Sequence, residues 1–269
     1  MIRPLAPFTA NLEDAAQLVG ASRHGVNIEF TGVTNVDSEV EEGDLFLAIP
    51  GARVHGATYI DSAIKQGAVA VLTDEEGLAY CQGIPALVVK DVRTAGALVA
   101  SSLYKNPTRD LISIGITGTN GKTTVSTLLY QIFQAVNRET GLIGTVETRI
   151  GSEVLKSSRT TPEAPELQAL AAVMRERHMR HLVMEVSSHA LSLKRIKGSH
   201  FAIAAFTNLT QDHLDFHKDM ENYFAAKAEL FTSEYAERSF INIDSPYGLR
   251  LADQAGIPVT TVSRTNKSA

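Results

Sequence analysis

The stretch Leu111-Ile-Ser-Ile-Gly-Ile-Thr-Gly-Thr-Asn-Gly-Lys-Thr-Thr124 decides the fold of this chain. Its first six residues form an apolar run that is typical of a buried parallel strand. A glycine-rich turn follows, and a helical pattern then extends from residue 122 to about residue 136. Strand, turn and helix in this order predict a loop whose backbone N–H groups bind a phosphate group at the N-terminus of the helix.

Lys122 and Thr123 give this loop its expected chemistry. The lysine can reach the β- and γ-phosphates of a nucleotide, and the threonine hydroxyl can ligate Mg²⁺. The usual spacing of such loops places a glycine at position 116, whereas this chain has Ile116 there and glycines at 115 and 118, so the loop is a variant. A simple strand–helix turn is the alternative, and the Lys-Thr pair at a helix start argues against it.

Length and composition restrict the class of protein. At about 150 residues per domain, 269 residues predict two domains. Hydrophobic residues make up 44% and charged residues 20%, which excludes disorder of the whole chain. A net charge of −5 argues against a nucleic-acid partner, and we find neither a membrane-spanning apolar run nor a signal peptide. A single cysteine, Cys81, fits a reducing compartment, so we expect a cytoplasmic protein.

Two segments meet near the polar stretch 105–110, which predicts domains at 1–106 and 107–269. In the first, we predict strands at 28–36, 45–49, 68–72 and 86–89, and helices at 57–66 and 92–104. In the second, we predict strands at 111–116, 181–186, 203–208, 240–243 and 259–262, and helices at 122–136, 165–177, 220–233 and 247–254. The expected fold is α/β: a small α/β domain followed by a mostly parallel sheet with helices on both faces.

Acidic residues and histidines cluster where two predicted strands end. Glu185-Val-Ser-Ser-His189 closes one strand, and Asp212-His-Leu-Asp-Phe-His217 follows the next. Ligands of open α/β sheets lie beyond the carboxyl ends of the strands, which places Glu185 to hold a hard cation near the phosphates. A strand-end salt bridge is nearly as good an explanation of this glutamate. Packing is the commoner explanation of any single histidine, whereas the cluster of two Asp and two His at 212–217 favours a metal or phosphate role. Lys227 lies in an alanine-rich helix, where a solvated position is usual.

These motifs, in this order, resemble the ATP-dependent Mur ligases of the MurE type. The resemblance rests on 118–124, Thr160-Thr-Pro162, Glu185-Val-Ser-Ser-His-Ala-Leu191, 206–217 and 219–231. In the N-terminal segment, Val36-Asp-Ser38, Gly43-Asp-Leu-Phe46 and His55-Gly56 resemble a UDP-binding domain, a pattern shared with the MurF type. A folylpolyglutamate synthase-like ligase and a non-catalytic nucleotide- or UDP-sugar-binding module remain the alternatives.

The resemblance implies a ligase of peptidoglycan synthesis. Such an enzyme adds the third amino acid, meso-diaminopimelate or L-lysine, to UDP-N-acetylmuramoyl-L-Ala-D-Glu through an acyl phosphate. Its partners are the UDP-muramoyl-dipeptide, ATP and a free amino acid, its cofactors include Mg²⁺, and a monomer is the default state. Chains of this type continue through more of the ATP domain and a C-terminal amino-acid-binding domain. We therefore expect 107–269 to be truncated, and this chain alone not to complete the ligation.

The resemblance also implies roles for individual residues. ATP is assigned to Gly118, Thr119, Asn120, Gly121, Lys122, Thr123 and Thr124. Thr123 and Glu185 are assigned to one Mg²⁺ and His213 to a second, a carbamylated Lys227 is a further metal ligand, and catalysis is assigned to Lys122, Lys227 and His213. The substrate is assigned to Val36, Ser38, Ala52, Arg53, Val54, Arg159, Thr160, Thr161, Ser187 and Arg195. Two positions depart from the familiar pattern: some members have Asn where this chain has Arg159, and Gln where it has Leu193.

Overall fold

The computed structural model describes residues 1–265, which form two compact units. The first unit comprises Met1–Asn106 and Ala164–Ala172, and the second comprises Pro107–Glu163 and the described residues from Val173 to Thr265. The sequence-based division after residue 106 leaves 164–172 with the second domain, whereas the structure places these residues in the first unit. The last four residues of the predicted second domain lie outside the described residues.

The first unit contains a five-stranded sheet of order β2-β7-β6-β5-β4. Strands β4 to β7 are parallel, and β2 pairs antiparallel with β7. Strands β1 and β3 form a separate antiparallel ribbon. The elements, in chain order, are β1 Ala10–Asn11, α1 Leu12–Val19, β2 Ser22–His24, β3 Glu29–Phe30, β4 Gly32–Thr34, β5 Asp44–Leu47, α2 Ile60–Gln66, β6 Ala70–Thr73, α3 Glu75–Leu78, β7 Ala86–Val88 and α4 Val92–Leu103.

Buried residues cover both faces of this sheet. Because side chains alternate along a strand, Leu45 and Leu47 of β5 point to one face and Phe46 points to the other. The leucines belong to a core with α1 and α4, and Phe46 belongs to a second core with Ile60 of α2. The predicted strand 28–36 is wrong as a single element. It is broken at Thr31, so that β3 pairs with β1 and only β4 joins the main sheet.

The second unit contains an eight-stranded sheet of order β11-β10-β9-β12-β8-β13-β14-β15. Strands β9, β12, β8, β13, β14 and β15 are parallel to one another. Strands β10 and β11 add an antiparallel hairpin at the β9 edge. The elements are β8 Ile112–Thr117, α5 Lys122–Ala135, β9 Thr140–Ile143, β10 Glu147–Ile150, β11 Glu153–Lys156, α6 Ala164–Glu176, β12 His181–Glu185, α7 Ser188–Ser192, β13 Phe201–Phe206, α8 Leu214–His217, α9 Met220–Ala228, β14 Ala236–Asn242, α10 Pro246–Gln254 and β15 Val259–Val262.

Helices pack on both faces of the larger sheet, as predicted. Tyr130 of α5 lies in one core with Ile116 and Leu142. The neighbour of Leu142 in β9, Gly141, faces the opposite side, where a Cβ atom would collide with Met174 of α6. The mostly parallel α/β fold is therefore confirmed. No helix within residues 1–265 is long and apolar enough to span a membrane.

Strands β9, β10 and β11 were not predicted. They are four residues each, and β10 and β11 carry threonine, arginine, glutamate and lysine, so they lack the continuous apolar runs of β8 and β12. The order β9-β12-β8-β13 has a direct consequence for function. Because these four strands are parallel, their carboxyl ends lie at one edge of the sheet, where ligands of such sheets bind.

Candidate functional site

The phosphate loop leaves the carboxyl end of β8 and enters α5 directly. Gly118 has φ of 147° and Gly121 has φ of 85°, conformations that residues with a side chain rarely adopt. A Cβ atom on residue 118 would also collide with the Thr207 hydroxyl. Ile116, which occupies the usual glycine position, is fully buried in β8. The variant spacing is therefore consistent with the structure, because the turn begins only after Thr117.

Lys122 folds back over the loop. Its Nζ donates hydrogen bonds of 2.9 Å to the carbonyl oxygens of both Gly118 and Thr119. Burial lowers the pKa of this lysine, while Glu185 and Asp212 oppose that shift. The N–H groups of the first turn of α5 have no partner within the helix, so this turn and the lysine together form an anion-binding surface.

Glu185 is held by hydrogen bonds at the end of β12. Its Oε2 accepts from the Thr123 hydroxyl at 3.0 Å and from the Thr145 hydroxyl at 2.9 Å. Its Oε1 accepts from the backbone N–H of Thr145 at 2.9 Å. The structure thus brings together Thr123 and Glu185, two of the predicted metal ligands, and both supply the hard oxygen donors that suit Mg²⁺. No group of three or more His, Cys, Asp or Glu side chains in residues 1–265 is arranged to hold a metal ion.

Lys227 is buried rather than solvated, with an exposed fraction of 2%. Its Nζ donates a hydrogen bond of 3.0 Å to the Gly118 carbonyl oxygen and lies 4.6 Å from the centroid of the Tyr223 ring. Burial lowers the pKa of the lysine to about 7, repulsion from Lys122 adds to this, and Asp212 opposes it. A large share of the amine is therefore neutral near pH 7, which makes it available as a nucleophile.

Three histidines lie close together beside the loop. The rings of His189 and His213 are 4.8 Å apart between centroids, and those of His189 and His217 are 5.6 Å apart. His217 is buried and its Nε2 lies 2.9 Å from the Ser188 hydroxyl. Burial, reinforced by the neighbouring cationic groups, lowers the pKa of His217 to about 4, so it is neutral and has a packing role. His213 is half-exposed and lines the cavity described below.

The predicted substrate residues of the second unit surround Glu185. The buried Thr161 hydroxyl donates to the Glu185 carbonyl oxygen at 2.8 Å and accepts from the Ser187 N–H at 3.1 Å. Thr161 therefore links two segments of the site. Arg195 pairs with Glu163, the distance from Nε to Oε1 being 2.9 Å.

A cavity of about 580 Å³ brings most of these residues together in the second unit. It is lined by Thr119, Asn120, Gly121, Lys122, Thr123, Thr124, Thr145, Arg159, Thr160, Glu185, Ser187, His189, Arg195 and His213. Three predicted residues do not line the cavity but form hydrogen bonds at its border. Thr161 bonds to Glu185 and Arg195, and Gly118 accepts from Lys122 and from Lys227. Most of the predicted nucleotide and peptide residues of the second unit thus line one open space beyond the strand ends.

The remaining predicted residues lie in the first unit. Val36 and Ser38 follow β4, and 52–54 follow the adjacent parallel strand β5, so both groups lie at one edge of that sheet. Ala52, Arg53 and Val54 are exposed. A larger cavity of about 750 Å³ lies in the same unit beside Asp74 and Asp91, but none of the predicted residues lines it.

Three contributors to the site were missed by sequence reasoning. Thr145 holds Glu185, Asn208 contacts the phosphate loop, and Tyr223 covers Lys227. Recognition of β9 would have found Thr145, because this residue follows the carboxyl end of that strand. No comparable signal identifies Tyr223, which is one of several aromatic residues in and around α9.

Fold and site together define an α/β protein with a phosphate-binding loop. The family model described as "Mur ligase middle domain" matches residues 116–269. The model described as "Mur ligase family, catalytic domain" matches residues 29–105. The chain belongs to the Mur ligase family.

Individual relatives agree with this family. Two are named UDP-N-acetylmuramoyl-L-alanyl-D-glutamate–2,6-diaminopimelate ligase: that of Streptomyces avermitilis is 50% identical and that of Streptomyces coelicolor 49%. Each match covers 97% of this chain and 52% of the relative. A solved structure with the same ligase name is 28% identical, with a TM-score of 0.75, and the match covers 89% of this chain and 50% of that one. The chain thus spans about half the length of these relatives.

Proposed function

We propose that this chain belongs to an ATP-dependent ligase of the MurE type, which joins an amino acid to UDP-N-acetylmuramoyl-L-Ala-D-Glu in peptidoglycan synthesis. The observation that carries the proposal is the single cavity in which the phosphate loop, Thr123 and Glu185 meet Thr160, Ser187 and Arg195. The names of the two Streptomyces relatives favour 2,6-diaminopimelate over L-lysine as the amino acid. The first unit, with the residues that follow β4 and β5, would bind the UDP part.

The site residues support transfer of the γ-phosphoryl group. Lys122 and the first turn of α5 neutralise the phosphates while the D-Glu side-chain carboxylate attacks the γ-phosphorus, releasing ADP and leaving an acyl phosphate. The amino group of the incoming amino acid then attacks the acyl carbon, and inorganic phosphate leaves as the amide forms. Thr123 and Glu185 would hold one Mg²⁺ and His213 a second, and the ions would supply further positive charge at the phosphates.

Lys227 is proposed to carry a carbamate. A neutral amine attacks the carbon of CO₂ and loses a proton, which converts the side chain into an anionic group with two oxygens that can ligate Mg²⁺. The buried amine with a pKa near 7 supports this reaction. With ¹³C-bicarbonate, the chain should give a carbamate carbonyl signal in ¹³C NMR that Lys227→Arg lacks. The same signal in both proteins, or in neither, contradicts the proposal.

The proposed function can be tested by measuring nucleotide binding to this chain of 269 residues. Calorimetric titration with ADP should show one site in the presence of Mg²⁺ and weaker binding in EDTA. Because this chain alone is expected not to complete the ligation, phosphate release from ATP, UDP-muramoyl-dipeptide and diaminopimelate is measured on a chain extended to the full length of the relatives, where release identifies a ligase and binding without release identifies a binding module. Absence of ADP binding would contradict the assignment of the loop.

A further inference from the structure

We propose that Thr207 and Asn208, which follow β13, are positioning residues that hold the phosphate loop in its anion-binding conformation. This inference rests on the proposed nucleotide binding and extends it to a segment that does not line the cavity. Both residues contact the backbone of Asn120.

Asn208 binds both polar groups of one backbone unit. Its Oδ1 accepts from the Asn120 N–H at 3.0 Å, and its Nδ2 donates to the Asn120 carbonyl oxygen at 3.0 Å. The Thr207 hydroxyl donates to the same carbonyl at 2.7 Å. An asparagine matches this pattern because its amide carries a donor and an acceptor side by side.

The backbone of the same segment extends the contact to Thr119. The Thr119 N–H donates to the Asn208 carbonyl oxygen at 2.9 Å, and the Thr119 hydroxyl donates to the Thr210 carbonyl oxygen at 3.1 Å. The Thr207 hydroxyl occupies the space into which a side chain at residue 118 would project. The loop is therefore fixed along its length from Gly118 to Asn120.

These contacts determine which N–H groups can receive a phosphate. The N–H groups of Thr119 and Asn120 already donate hydrogen bonds to Asn208. The N–H groups of Gly121 and of the first turn of α5 are therefore the ones that can bind a phosphate. A loop that is ordered before the ligand arrives costs less conformational entropy on binding. Loss of the Asn208 or Thr207 side-chain contacts should therefore weaken phosphate binding although neither residue lines the cavity.

The first test measures ADP affinity by calorimetry in Mg²⁺, well below the unfolding temperature of each variant. Asn208→Ala and Thr207→Val should each bind ADP about tenfold more weakly than the unmodified chain. Thr207→Ser keeps the hydroxyl and should restore the affinity to within about twofold. Thr260→Val, at an exposed position of β15, is the matched control. Unchanged affinity in Asn208→Ala and Thr207→Val would overturn the inference.

A second test needs no nucleotide. Amide hydrogen exchange in the ligand-free chain should show protection of the Thr119 and Asn120 N–H groups, and Asn208→Ala should remove the protection of Asn120 while the amides of β8 stay protected. Equal exchange of the Asn120 amide in both proteins would contradict the positioning role. If the exchange differs but the unmodified chain does not bind ADP, the positioning role is supported and the proposed function fails.

Discussion

Lys122→Ala should weaken binding of Mg²⁺-ATP by about 10- to 100-fold. A hydrogen bond from a charged group is worth about 1.5–3 kcal/mol, and each 1.4 kcal/mol is a tenfold change in affinity. The substitution removes the cation beside the loop and leaves the Thr119 carbonyl oxygen without its lysine donor, while the Gly118 carbonyl oxygen keeps the hydrogen bond from Lys227. Calorimetric titration of the variant with ATP and Mg²⁺ measures the effect.

Two further variants separate the effect of losing the positive charge from an effect of the substitution on folding. Lys122→Arg keeps the positive charge and should retain part of the affinity, while Lys156→Ala removes an exposed lysine of β11 and should bind like the unmodified chain. If Lys122→Ala binds Mg²⁺-ATP normally and unfolds at the same urea concentration as the unmodified chain, the nucleotide phosphates bind elsewhere.

The phosphate loop could be predicted from the sequence because its determinants are local. An apolar strand, two glycines with unusual backbone angles and a Lys-Thr pair all lie between residues 111 and 124. Glu185 was predicted for a related reason, since the parallel sheet brings the carboxyl ends of β8 and β12 to one edge. This part of the site could therefore be predicted from the regular secondary structure alone.

Side-chain contacts across long sequence separations could not be predicted. Lys227 contacts a carbonyl oxygen 109 positions earlier in the chain, and nothing in its alanine-rich neighbourhood indicates burial. Thr145 follows a strand that is too short and too weakly patterned to recognise. The division of α6 between the two units likewise depends on tertiary packing, because the helix itself is continuous in the sequence pattern.

Lys227→Met should stabilise the chain against unfolding more at pH 6 than at pH 10. The folded chain holds the pKa of this lysine at about 7, against 10.5 in the unfolded chain, so the unfolded chain binds more protons between these values. Stability of the unmodified chain therefore rises with pH through this window, and the cost of the buried cation is fully present only below about pH 7. At 1.36 kcal/mol per pKa unit, this cost is at most about 5 kcal/mol.

The pH dependence separates this cost from the other effects of the substitution. Methionine cannot donate to the Gly118 carbonyl oxygen, but that loss shifts the unfolding free energy by the same amount at every pH. Urea unfolding in CO₂-free buffer at several pH values measures the difference between the two proteins, with the exposed Lys156→Met as control. A difference that is constant from pH 6 to pH 10 would mean that folding does not lower the pKa of this lysine, so that the amine is almost wholly protonated near pH 7. Lys227 could then not act as the nucleophile that CO₂ requires.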